Sequence, residues 1–298
     1  MKITTSSLHT HLSIHSFSQR PNTAIKQVFK VASLLSLAVI SQSSFAGAWT
    51  AAEGAGYNKL AVSSYEATDF YGDSEGFNEF KGTNYSLYAE HGLRDDLTFF
   101  GTLLYQNLEQ TDAAGIKTDG SGFSDVELGL RRRIVEGPTV VSASFLVKLP
   151  HLYDENDELP RGNGQTDYEA RILLGRSLYP YGYIGAEAAY RIRTEDPSDE
   201  YRYLIEYGIS AGDNLYFRAK LDGTESAKNG KSIANGETNL SATNEYDLGK
   251  FEFTVGWSFD KKNGAKSKWG LEATYNEDVY GNNALNGGGY QLGLTREY

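Results

Sequence analysis

The sequence predicts an all-β fold: a transmembrane, antiparallel, up-and-down β-barrel of about twelve strands that follows a cleaved N-terminal signal peptide. Three observations support this prediction. Apolar and charged residues alternate along a central strand, an apolar run near the N-terminus is too short to span a bilayer, and the C-terminal stretch alternates like a lipid-facing strand. We assign residues 1–46 to the signal peptide and residues 47–298 to the barrel.

The clearest strand covers residues 122–135. Val126, Leu128, Leu130 and Ile134 fall on one face, and Asp125, Glu127, Arg131 and Arg133 fall on the other. Arg132 is the exception to this alternation. When such strands close into one sheet, their charged faces converge, so the apolar faces must meet lipid outside.

The signal peptide is predicted from residues 31–40, an apolar run preceded by Lys26 and Lys30. Its ten residues fall short of the roughly 20 that a membrane helix needs. Cleavage is expected after Ala46, with Ala48 as the alternative, and the absence of cysteine excludes a lipoprotein.

The last strand, residues 288–298, alternates apolar with small or polar residues and finishes on Tyr298. It resembles the C-terminal strand that the barrel assembly machinery recognises in Gram-negative bacteria, apart from Arg296. We therefore expect this machinery, outer-membrane lipid and lipopolysaccharide as partners.

Composition excludes one class of partner. Four of the 28 basic residues lie in residues 1–46, which leaves 24 against 39 acidic residues and a net charge of −15. Nucleic-acid binding is therefore not expected. All 21 tyrosines and 32 glycines lie after residue 46, as short strands, tight turns and aromatic belts require.

The predicted strands are residues 56–67, 81–91, 97–109, 122–135, 139–149, 166–178, 182–194, 200–211, 214–223, 246–260, 267–280 and 288–298. Short connections, the expected periplasmic turns, are residues 92–96, 136–138, 179–181, 212–213 and 261–266. The expected surface loops are residues 68–80, 110–121, 150–165, 224–245 and 281–287, with residues 195–199 as a small loop.

Aromatic residues on the predicted lipid faces form two belts. Those near short turns are Phe99, Phe217, Trp257, Phe259, Trp269 and Tyr298. Those near surface loops are Tyr85, Tyr105, Tyr168, Tyr190, Tyr201, Tyr203, Tyr275 and Tyr290.

Residues 122–131 (GFSDVELGLR) resemble the signature of an outer-membrane family associated with the meta-pathway of phenol degradation. The pattern of tyrosine and glycine in residues 207–209 and 290–294 is similar to that of the family's strands. The resemblance implies a channel for small organic molecules. XagA-like outer-membrane proteins, which accompany exopolysaccharide synthesis, are about as similar.

Charged residues predicted to line the lumen are Glu90, Asp125, Glu127, Arg131, Arg133, Glu169, Arg171, Glu187, Arg191, Arg193, Arg202, Glu206, Arg218, Lys220, Glu252 and Glu272. They predict either a charged constriction that orients a solute or a network of ion pairs that braces the lumen. About twelve strands predict a narrow pore, open or plugged.

No catalytic site, metal site or cofactor is predicted. An enzyme would have to use His91 or His151, because the other three histidines lie in the signal peptide. The acidic stretch of Asp154, Glu155, Asp157 and Glu158 lacks the glycine and final glutamate of a calcium loop.

Two hypotheses for function follow. The first is a passive channel for small molecules, hydrophobic or aromatic ones included. The second is an accessory or structural barrel for exopolysaccharide, biofilm or envelope integrity, and a surface hydrolase is the least favoured alternative.

Overall fold

A computed structural model describes residues 47–72, 77–150, 152–154, 157–231, 243–259 and 267–298. The predicted signal peptide lies outside the described residues, so its cleavage stays a prediction. Among the described residues, no helix is long and apolar enough to cross a membrane. The strands are β1 (Gly56–Tyr71), β2 (Phe77–Arg94), β3 (Leu97–Asp112), β4 (Lys117–Val135), β5 (Thr139–Leu149), β6 (Asp167–Ser177), β7 (Tyr183–Arg193), β8 (Glu200–Ala211), β9 (Leu215–Ser226), β10 (Asp247–Ser258), β11 (Lys268–Asn282) and β12 (Ala284–Glu297).

Each strand pairs antiparallel with its neighbours in sequence, and β1 pairs with β12 to close the barrel. Closure leaves no free strand edge, so every strand's backbone can hydrogen-bond to a neighbour on both sides. The predicted all-β fold and its twelve strands are confirmed.

Several strands are longer than predicted on the side of the surface loops. β4 has 19 residues, whereas roughly 9–11 suffice to cross a bilayer. The loop predicted at residues 110–121 shrinks to residues 113–116, and Asn283 alone separates β11 from β12, where residues 281–287 were expected. The predicted bounds of these loops were wrong because the strands stay paired beyond the lipid, where their outward side chains no longer need to be apolar.

The outer surface is apolar, as the alternation predicts. Leu60, Ile205 and Leu292 point outward with exposed fractions of 56%, 59% and 63%. Aromatic residues near the surface loops pair across strands: ring centroids lie 5.1 Å apart for Tyr190 and Tyr201. Exposed aromatic side chains near the other rim are Phe99, Trp257, Phe259, Trp269 and Tyr298. This surface suits a bilayer core between two interfaces.

Strict alternation fails at two points in β4, one of them between Arg133 and Val135. A register shift opposite Leu103 and Tyr105 inserts an extra residue into β4. Phe123 consequently faces outward and packs edge-on against Tyr105, with 5.3 Å between ring centroids. Asp125 and Glu127 still face the interior, where each forms an ion pair.

Candidate functional site in the barrel lumen

The charged side chains that alternation assigns to the lumen lie on the inward side of their strands. Fifteen of the sixteen form ion pairs with described residues, and Glu206 is the exception. Their placement gives a polar interior opposite an apolar exterior. Their part in solute passage stays a prediction.

Glu169 is the centre of a charged wall formed by β6, β7 and β8. Its carboxylate accepts hydrogen bonds from Arg171 at 2.8 Å, Arg191 at 2.9 Å and Arg202 at 3.3 Å. The side chain of Glu169 is only 2% exposed. Arg191 also pairs with Glu127 of β4 at 2.9 Å, so one connected network ties four strands together.

Other ion pairs join strands that are not neighbours in the sheet. Arg131 of β4 binds Glu90 of β2 at 2.7 Å, and Lys59 of β1 binds Glu272 of β11 at 2.6 Å. Tyr216 of β9 also donates to Glu272, at 2.6 Å. Each contact passes over an intervening strand, so these side chains fill interior space and narrow the lumen.

A cavity of about 320 Å³ lies on the side of the surface loops, lined mainly by β1, β2, β3, β10, β11 and β12. Tyr65, Phe80 and Leu108 provide rings and an aliphatic surface, and Asn84 and Gln106 provide amides. The amides bind one another at 3.1 Å. Charged residues of β10 and β11 close the far side. Its size and mixed lining are those of a small-molecule site.

Residues 157–166, in the connection from β5 to β6, fold into the barrel mouth, where the sequence predicts a surface loop. Leu159 is 1% exposed and packs among Phe80 and Leu108. Tyr153 donates to Asp125 at 2.8 Å. Burial, with the nearby Asp125 charge, raises the pKa of the Tyr153 hydroxyl, so Tyr153 stays a neutral donor at physiological pH. The loop therefore partly closes this end.

Residues 47–55 enter the lumen from the opposite end. Ala48 is 2% exposed and packs against Val140 and Leu173. The Trp49 ring meets the Tyr183 ring edge-on at a centroid distance of 5.9 Å. Trp49 also lies directly over Gly175, where any side chain would collide with its ring. This N-terminal segment, residues 47–55, thus occupies part of the pore.

The sequence pattern places these residues before the first predicted strand and predicts no contact for them. A tryptophan within a stretch of glycine and alanine was the available signal, since so large a ring seldom stays without a packing partner. Nothing in the local pattern says that its partners are Gly175 and Tyr183, which lie more than a hundred positions away.

The residues weighed for catalysis and metal binding do not assemble a described site. His91 stacks on Tyr298, with Nδ1 3.3 Å from the tyrosine hydroxyl. Asp157 pairs with Arg161. His151 and Glu155 lie outside the described residues. Within the part of the chain that the structure describes, no group of three or more His, Asp or Glu side chains could hold a metal ion.

No family model and no curated protein matches the sequence. Among solved structures, an outer membrane channel from Pseudomonas putida F1 is similar: the TM-score is 0.65 at 13% identity, over 85% of this chain and 98% of the other. The NanC porin gives a TM-score of 0.48 at 10% identity, over 79% and 98%. The translocator domain of the autotransporter NalP from Neisseria meningitidis gives 0.48 at 10% identity, over 93% and 96%.

Only the first of these similarities is high enough to bear on the fold, and at 13% identity it bears on nothing finer. It agrees with the closed ring of twelve strands and with the apolar outer surface between aromatic belts. The protein is a twelve-stranded β-barrel of the outer membrane.

Proposed function

We propose that the barrel is a passive channel for small molecules, hydrophobic or aromatic ones included. The observation that carries this proposal is the cavity beside Tyr65 and Phe80, in a lumen where nearly all of the predicted charged lining residues form ion pairs. A solute there meets aromatic side chains and amides, while the charged residues of the lining, Lys250, Glu252 and Asp278, already form ion pairs.

The aromatic part of the cavity favours a flat, uncharged solute. The rings of Tyr65 and Phe80 are 6.2 Å apart and meet edge-on, and Lys250 Nζ lies 5.6 Å from the centre of the Tyr65 ring. Asn84 and Gln106 can hydrogen-bond to a hydroxyl or carbonyl of the solute. Small phenols and aromatic alcohols combine both features.

The resemblance of residues 122–131 to the family of the phenol meta-pathway supports the same solute class. As partners we propose outer-membrane lipid and lipopolysaccharide around the apolar surface, and the barrel assembly machinery during insertion.

Liposome swelling tests this proposal. We expect phenyl β-glucoside to enter faster than glucose, although it is larger, because its ring can stack in the cavity. Gly82 lines the cavity, with room for a side chain in ordinary contact with Leu108 and Phe80. Gly82→Phe should therefore slow entry of the phenyl glucoside at least fivefold.

The matched control is Thr83→Phe, because Thr83 follows on the same strand with its side chain on the lipid side of the wall. It should leave entry unchanged. Equal entry rates for both sugars, unaffected by Gly82→Phe, would contradict the cavity as the path.

A second candidate is a structural barrel that passes nothing, as the XagA resemblance implies. The observation in its favour is that two side chains occupy the lumen: Leu159 of the β5–β6 connection and Trp49 of the N-terminal segment. It predicts no swelling with any solute and an envelope defect when the protein is deleted.

A further inference from the structure

A local imbalance of charge lies beside the N-terminal segment. Glu187 pairs with Arg171, whereas Glu206 has no ion pair among the described residues. Glu206 is 5% exposed, and its Oε1 has no hydrogen-bond partner in the described part of the chain. A buried carboxylate without a cation or donor is costly. Arg218 and Lys220 act on Glu206 from beyond ion-pair distance, so its Oε1 is open to one further cation or donor.

The two carboxylates share one place in the lumen. Glu206 of β8 lies opposite Gly185 of β7, and its Cγ would be 2.9 Å from a Cβ added to that glycine. Glu187 is two residues further along β7, on the same face. The Glu206 side chain thus leans across β7 toward Glu187, and the absent side chain of Gly185 leaves room for it.

The backbone of Gly47 lies next to the Glu187 carboxylate. A Cβ added to Gly47 would overlap with Oε1 of Glu187 and would lie 3.0 Å from Leu173. The backbone of Gly47 is therefore in direct reach of a carboxylate. Ala48, the next residue, is fixed by packing and by a hydrogen bond from the Ser142 hydroxyl to its carbonyl.

We propose that this further cation is the α-ammonium group of Gly47, set free by cleavage after Ala46 and held by Glu187 and Glu206. Hydrolysis of the Ala46–Gly47 peptide bond by a signal peptidase consumes one water molecule. It leaves a carboxylate on Ala46 and an amine on Gly47, which takes up a proton near neutral pH. The ion pair then anchors the N-terminal segment inside the lumen.

The same reasoning decides between the two predicted cleavage positions. Cleavage after Ala48 would remove Gly47 and Ala48, and with them the packing on Val140 and Leu173. It would also leave Glu206 without its cation. Cleavage after Ala46 keeps both, so the processed chain should begin at Gly47.

The test uses mature protein extracted from outer membranes of cells that express the full sequence. Folded and heat-unfolded samples receive a brief reductive methylation with formaldehyde and cyanoborohydride. Digestion after glutamate then releases residues 47–53, a peptide without lysine, whose dimethylation is measured by mass spectrometry. Lys117, with its side chain 62% exposed, reports general reactivity in the same sample.

We expect the Gly47 amine to react at least tenfold more slowly in the folded barrel than in the unfolded chain. Glu187→Gln should abolish most of this protection, and Glu206→Gln should reduce it. Glu127→Gln, a matched lumen variant whose partner is Arg191, should keep it. Glu187→Gln preserves the shape of the side chain, so protection by burial alone would survive that change.

Three results would overturn the proposal: a mature chain that begins at Trp49, a Gly47 amine equally reactive in folded and unfolded protein, or full protection in both Glu187→Gln and Glu206→Gln. Should Glu187→Gln fail to fold, Glu206→Gln decides alone, because among the described residues Glu206 forms no ion pair and its Oε1 accepts no hydrogen bond that the change would break.

Discussion

Replacing Glu169 with glutamine tests the charged wall at its centre. Glutamine keeps the shape of the side chain but removes the charge that three arginines share. Hydrogen bonds to a charged group contribute about 1.5–3 kcal/mol each, and breaking a buried ion pair typically costs about 3–5 kcal/mol. Because glutamine retains one acceptor oxygen for Arg171, Arg191 or Arg202, we expect a loss of about 3 kcal/mol in unfolding free energy.

Urea unfolding of the refolded barrel, followed by tryptophan fluorescence, measures this loss. The matched control is Glu66→Gln on the outer face, where Lys81 lies 3.9 Å away and the Glu66 side chain is 59% exposed. That change should cost less than about 1 kcal/mol. If Glu169→Gln unfolds at the same urea concentration as the control, the network does not brace the lumen, and our account of the charged wall is wrong.

Three further predictions address the lipid face, the N-terminal segment and the last strand. Leu128→Arg places a charge against hydrocarbon at a cost of about 2–4 kcal/mol near the midplane, and should reduce the fraction that migrates as folded protein in an unboiled gel; normal migration would place Leu128 in the lumen. Gly175→Val places a side chain where the Trp49 ring lies, so it should displace the N-terminal segment and raise single-channel conductance. Unchanged conductance would show that this segment does not limit the pore. Tyr298→Asp removes the ring stacked on His91 and the aromatic expected to guide assembly, so it should lower the amount of folded barrel in outer membranes; equal abundance would count against both roles.

The wall of the barrel could be predicted from the sequence because lipid on one side imposes a two-residue period. Leu128 and Arg131 show this rule: their faces follow from alternation alone, and the structure has Leu128 exposed and Arg131 buried beside Glu90. Once a strand leaves the lipid the rule ends, which is why the ends of β4 and β12 were misplaced.

The contents of the lumen could not be predicted in the same way. The contacts of Trp49 with Gly175, and of Leu159 with Phe80, join residues distant in sequence through the curvature of a closed sheet. The alternating pattern predicts that Glu206 faces inward, but it does not predict which cation lies near the Glu206 carboxylate. Such pairings depend on strand tilt and register, which single-sequence patterns do not encode.

The central claim is that this barrel conducts small solutes through the cavity beside Tyr65 and Phe80. Single-channel recording in a planar bilayer tests it most directly, with phenyl β-glucoside added on one side. We expect reproducible current steps that the glucoside interrupts briefly, with fewer interruptions in Gly82→Phe. A correctly folded barrel that carries no current at any voltage, or a current that the glucoside and Gly82→Phe leave unchanged, would contradict the claim.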